Sequence, residues 1–142
     1  MSTRITLEQA NTVIAAAFAK GKELNLKPLS VVVVDAGGHV QAFQRQDGAS
    51  SMRLGIALGK AAGALALGVS SRKIAEMAAE RPPFFAAASG LVPHGLIPAA
   101  GGVIVKGSDG FAIGAVGITG DTSDNDEICT LAGIAAAGLT PV

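Results

Sequence analysis

Tryptophan and tyrosine are absent from this chain of 142 residues, cysteine occurs once, histidine twice, and charged side chains make up only 15%. Each scarcity removes a class of function. The lone Cys129 allows neither an internal disulfide nor a cysteine-built zinc site. His39 and His94, the only histidines, are too few for a multi-histidine metal centre. Five phenylalanines are the only aromatics, and eleven Lys+Arg balance eleven Asp+Glu. With no basic surplus to neutralise phosphates and little to stack on bases, no nucleic-acid partner is expected. The most apolar tract, Leu54 to Val69, is interrupted by Lys60 and by Gly55, Gly59, Gly63 and Gly68. It falls short of the ~20 apolar residues of a membrane span, so no membrane partner is expected either. No secretory core is read in the first residues, which lead into a helix bearing Glu8, Gln9 and Asn11, and the expected location is cytoplasmic.

What the chain does have is apolar surface. Hydrophobic residues reach 49%, which excludes intrinsic disorder, and the length suits one domain spanning residues 1–142. So little polar surface leaves apolar area to be covered by other subunits, and a homo-oligomer, a dimer or higher, is expected.

Patterning gives the order of elements. Thr6 and Gln9 have capping-box spacing ahead of a helical repeat, predicting a helix from Leu7 to Leu24. Ser30 to Asp35 and Val40 to Arg45 read as strands joined by Ala36-Gly37-Gly38, a tight hairpin. Ser50 or Ser51 caps a helix from Met52 to Leu67. Its glycines Gly55, Gly59 and Gly63 recur every four residues and leave one bare face for close approach of another element. A shorter helix runs from Ser70-Ser71 to Glu80 and stops at Pro82-Pro83. Phe84 to Ala100 reads as a loop with one helical turn. Gly102 to Lys106 and Phe111 to Ile118 form a second hairpin, and Thr122 or Ser123 caps a last helix ending near Gly138. The acids Asp124, Asp126 and Glu127 suit its positive end. The order α-β-β-α-α-β-β-α with hairpin connections makes an α+β domain with an antiparallel sheet, not a doubly wound nucleotide fold.

Few residues carry chemistry. The glycines Gly101, Gly102, Gly114, Gly117 and Gly120 match neither dinucleotide nor phosphate-loop spacing, which favours close backbone packing. Lys60, within a Gly/Ala/Leu-rich helix, must snorkel, pair with an acid or face a cavity. Arg45 can hold a carboxylate bidentately, from a propionate or an organic acid. His94 lies in a Pro/Gly loop of the kind that binds ligands, as a pocket residue or an iron ligand. His39 follows the first hairpin turn and is expected to be exposed. Glu76 and Glu80 share a helix face as solvated acids or metal ligands. No serine sits in a nucleophile elbow, and Cys129 falls on the apolar stripe of the last helix, where it reads as core.

These segments together resemble the GlcG/HbpS family of haem-binding and haem-degrading-like proteins, which includes the C-terminal domain of PduO-type corrinoid adenosyltransferases. The resemblance rests on Val33-Val-Asp-Ala-Gly-Gly-His-Val40, then Phe43, Arg45, Asp47, Gly48 and Ala49, Lys60-Ala61, and Pro98-Ala-Ala-Gly-Gly-Val-Ile-Val105. It continues through Gly114-Ala-Val-Gly-Ile-Thr-Gly120, Asp126-Glu-Ile-Cys129 and Gly133, covering nearly the whole chain in order. It implies a profilin-like antiparallel sheet flanked by helices, assembled into dimers or larger rings. It also implies haem as a cofactor, or a role beside catabolic operons.

Two functions follow. In the first, the protein binds haem or a related tetrapyrrole near Arg45, Lys60, His94 and Gly101-Gly102. His94 is the first candidate for metal ligand there, and the cations pair with propionates. Without tyrosine, the axial bond falls to His39, His94, Met52, Met77, Cys129 or Lys60. In the second, it is a small catabolic hydrolase or isomerase acting on an organic acid. Arg45 anchors the carboxylate, Lys60 stabilises an oxyanion, and Asp47, His94 or Asp126 is the catalytic acid or base. A scaffold with no small ligand is the third possibility.

Overall fold

A computed structural model describes residues 3–142. Helix α1, Leu7–Glu23, starts at the expected capping box: Thr6 Oγ1 accepts from the Gln9 amide at 3.0 Å and Gln9 Oε1 from the Thr6 amide at 3.0 Å. Strands β1, Ser30–Asp35, and β2, Val40–Arg45, form the first hairpin. Helices α2, Arg53–Leu67, α3, Ser71–Glu80, and α4, Pro82–Ser89, follow. Strands β3, Gly102–Lys106, and β4, Ala112–Thr119, make the second hairpin, before helix α5, Ser123–Ala136, and the two-residue strand β5, Thr140–Pro141. The open antiparallel sheet has the order β2-β1-β4-β3-β5.

The four-valine run of β1 is explained by helices on both faces of the sheet. Val31 and Val33 pack with Val13, Ile14, Ile134 and Cys129 beneath α1 and α5, while Val32 and Val34 meet Ala57 and Ala61 of α2. The α1/α5 face is the deeper core, built from large aliphatic side chains. The α2 face is thin, because small residues bring helix and sheet backbones together. Gly102 and Gly117 are cross-strand partners. A side chain on Gly102 would collide with the Lys60 carbonyl, and one on Gly117 with the Ala57 carbonyl.

Three expectations need correction. Pro82-Pro83 ends α3, but the two prolines also occupy the first positions of α4, where a missing N–H costs nothing. The segment from Phe84 is therefore helical as far as Ser89 and not a loop. Neither Ser50 nor Ser51 caps α2: its N-cap is Met52, with no side-chain hydrogen bond. The predicted order also lacked β5, which pairs with the β3 edge at Val105 and Lys106.

Candidate functional site

The residues singled out from the sequence fall into three separate places. The first is a buried polar locus between α2, β4 and α5. Lys60 and Asp126 are 3% and 2% exposed, and their charged atoms lie 3.2 Å apart. Lys60 Nζ also donates to the Ile118 carbonyl at 2.9 Å. Asp126 accepts the Asp121 amide at 3.0 Å. Burial pushes Lys60 down and Asp126 up from their ordinary ranges, and each partner's charge opposes the shift. Gly101 and Gly102 wrap this locus. Thr130 Oγ1 donates to the Gly101 carbonyl at 2.7 Å, and the Gly102 amide donates to Ser71 Oγ at 2.7 Å. Every charged atom here is matched from inside, so Lys60 is the acid-paired lysine of the three sequence alternatives. It stands apart from His94 and Arg45. Cys129 is fully buried nearby, and desolvation lifts its thiol to about 11, which leaves it unreactive.

The second place is a cleft of about 600 Å³ between the end of α1 and the end of β2. Arg45 and Asp47 line it together with Lys22 and Lys27. Three cations thus face one acid in a protein whose formal net charge is zero.

The third place holds both histidines. His39, just past the β1–β2 turn, and His94, in the loop before β3, line one cleft of about 330 Å³. Its lining is otherwise mostly small and apolar, with Gly37, Gly38, Ala62, Gly63 and Ala66 among its residues. The loop carrying His94 is seated on the bare face of α2. A Cβ on Gly59 would stand 2.5 Å from Ile97 Cγ1 and 3.3 Å from the His94 carbonyl, and one on Gly63 3.4 Å from the Gly95 carbonyl. Gly55 meets nothing within 4 Å, so only two of the three spaced glycines serve this contact. Ser89 Oγ, at the end of α4, accepts the Leu96 amide at 3.0 Å and fixes the other side of the loop.

The sequence reading missed Asp35. Its Oδ1 accepts the Gly37 amide at 2.9 Å and the His39 amide at 3.0 Å, and lies 3.4 Å from His39 Nδ1. The backbone bond from His39 is the largest reason its carboxyl lies below the usual range. An aspartate at the head of a Gly-Gly turn is the signal that could have found it, because Asp side chains close such turns on their own backbone.

Among the described residues no group of three or more His, Cys, Asp or Glu is placed to hold a metal ion unaided. Glu76 is on α3, at a different cleft with Arg72, and forms an ion pair with Lys73 at 3.2 Å. Among the described residues no single helix is long and apolar enough to cross a membrane.

A five-stranded open antiparallel sheet with helices packed on both faces defines an α+β domain. The chain belongs to the HbpS-like family: residues 5–135 match the family described as haem degrading protein HbpS-like. It is 33% identical over 124 residues to a 15.0 kDa protein of the dhaT–dhaS intergenic region of Citrobacter freundii, covering 87% of this chain and 85% of that one. Among solved structures it resembles HbpS, with a TM-score of 0.80, 29% identity and coverage of 95% and 91% of the two chains. It also shares its fold with PduOC in complex with haem, at a TM-score of 0.85, 23% identity and coverage of 96% and 97%.

Proposed function

We propose that this protein binds haem or a related tetrapyrrole in the cleft lined by His39 and His94. The observation that carries the reading is convergence. The chain's only two histidines, 55 positions apart in sequence, line the same small-residue cleft. Flat glycine and alanine walls admit a planar ring where larger side chains would fill the space, and the volume is within the range of ligand pockets. Haem bound there would supply an iron whose axial positions accept imidazole nitrogen. Of the other ligand candidates, Lys60 and Cys129 are buried, and neither Met52 nor Met77 lines this cleft. Arg45 and Lys60 do not line it either, so these cations would not hold the propionates of a haem bound there.

Titration with hemin tests the reading. A saturable Soret band near one-to-one stoichiometry, lost in His39→Ala or His94→Ala, is the expected result. A featureless titration of the parent chain overturns it.

A second reading has an observation of its own. The cleft of Lys22, Lys27 and Arg45 beside Asp47 suits the carboxylate of an organic acid, with Asp47 as the group able to move a proton. Thermal shift and turnover with a panel of organic acids test it, and no response removes it.

The homo-oligomer expectation is supported by α4. Pro-Pro-Phe-Phe-Ala-Ala-Ala-Ser buries none of its residues, and Leu91 just beyond it is 86% exposed. Light scattering should give a mass above the 14.0 kDa of one chain. The cytoplasmic location goes with the same proposal and is checked by fractionation.

A further inference from the structure

We infer that His39 would be a ligand to the iron of a bound haem, with Asp35 acting as a positioning residue that fixes which ring nitrogen is left free for the metal. The inference rests on the tetrapyrrole reading above and deepens it. Asp35 ends β1 and His39 stands four residues later, across the turn, so one carboxylate serves both backbone and side chain. Its Oδ1 holds the turn through the Gly37 and His39 amides and stands 3.4 Å from His39 Nδ1. Two further backbone bonds and one left-handed glycine fix the geometry of the tip. The Asp35 amide donates to the His39 carbonyl at 2.9 Å, the Gly38 amide to the Asp35 carbonyl at 3.0 Å, and Gly38 takes the left-handed φ of +83°.

The consequence is chemical. Nδ1 is the ring nitrogen on the carboxylate side, at 3.4 Å, so a neutral ring with its proton there would offer Nε2 as the lone-pair nitrogen. Histidines that bind metals are oriented in this way by an outer carboxylate, which also raises their basicity. The ring is 82% exposed, so neither core packing nor a buried ion pair accounts for its orientation. Gly37 supplies the independent observation. A Cβ at that position would stand 2.9 Å from His39 Nδ1, so the ring lies directly over a residue with no side chain. The bare position makes room for the imidazole beside the carboxylate. His94 carries no such partner among the described residues, which makes the two histidines unequal: His39 is the pre-oriented ligand and His94 the adaptable one.

The test uses the full chain and hemin, with Asp35→Asn as the central variant. The asparagine oxygen can still accept the two turn amides, so the hairpin keeps its fold, but the negative charge beside the imidazole is gone. Ferric haem affinity is expected to fall about tenfold, the lower end of what outer-shell changes cost. The ferric/ferrous potential of the bound haem is expected to rise, because a less basic imidazole stabilises ferric iron less. Gly37→Ala, which displaces the ring without touching the charge, is expected to weaken hemin binding while the thermal melt is unchanged.

If Asp35→Asn matches the parent in both affinity and potential while His39→Ala loses the axial signature, the positioning role is overturned. If His39→Ala keeps the parent's spectrum, the ligand assignment itself is overturned. Failure of the parent chain to take up hemin sinks the tetrapyrrole reading beneath both.

Discussion

Two regions concentrate this protein's chemistry, and they differ in every physical respect. Lys60 and Asp126 are buried, paired with one another and ringed by backbone partners. His39 and His94 sit in an open cleft with one exposed carboxylate beside them. From sequence alone Lys60 was the more conspicuous, a cation in the middle of an apolar helix. The structure shows what made it so. A buried charge is tolerated only when matched, and one matched from inside has nothing left for a ligand. The histidines looked ordinary because exposure imposes no pattern on their neighbours.

The largest expected effect breaks the buried region. Lys60→Ala leaves Asp126 buried without its cation and should cost about 3–5 kcal/mol in urea unfolding. The double variant Lys60→Met with Asp126→Leu should recover most of that loss, because both desolvation costs vanish with the charges. A double variant no better than the single would show that Ile118 and the Asp121 amide depend on the pair itself.

Next comes the bare patch that lets α2 approach the sheet. Gly117→Ala puts a methyl against the Ala57 carbonyl and should cost about 1–3 kcal/mol by overpacking. The same measurement on Gly55→Ala, where nothing lies within 4 Å, should show a gain of up to about 1 kcal/mol from helix propensity.

A smaller effect is read by pH. Asp121 accepts from Asn125 Nδ2 and from the Thr122 and Lys27 amides, which hold its carboxyl at about 2, below its ordinary 3.8. Its folded value is the depressed one, so its contribution is fully present above pH 3.8 and is lost as pH falls through about 2. At a site reached by solvent this amounts to about 1 kcal/mol or less. Denaturation midpoints of parent and Asp121→Ala should differ at pH 5 and converge toward pH 2.

The smallest stability effect sharpens the contrast from the other side. His39→Ala and His94→Ala should change unfolding by no more than about 0.5 kcal/mol, as surface substitutions do, while removing the hemin signature. A loss of several kcal/mol at either histidine would make it a structural residue and erase the distinction between the two regions.

Much of the fold was legible because its signals are local. The capping box at Thr6 and Gln9, the Gly-Gly turn and the paired hairpins each depend on residues a few positions apart. The valine run of β1 announced a strand, though not that both of its faces are covered. Pro82-Pro83 was misread for an equally local reason, since proline ends one helix and begins another with the same missing N–H. Strand β5 was invisible: two residues, one of them proline, carry no periodicity of their own.

The site was legible only in parts. His39, His94, Arg45, Asp47, Lys60 and Asp126 were all visible as residue types, but the pocket imagined around them joined places the fold keeps apart. By itself the sequence determined which segments are helix or strand, which faces are apolar, and that α2 carries a bare face. Those follow from periodicity and backbone preference within a single segment. Only the tertiary structure decided that Lys60 meets Asp126, that Arg45 opens on another cleft, and that His39 and His94 share one. Those partners lie tens of residues apart, and the close approach of α2 to both the sheet and the His94 loop, permitted by glycines on each, sets which of them meet.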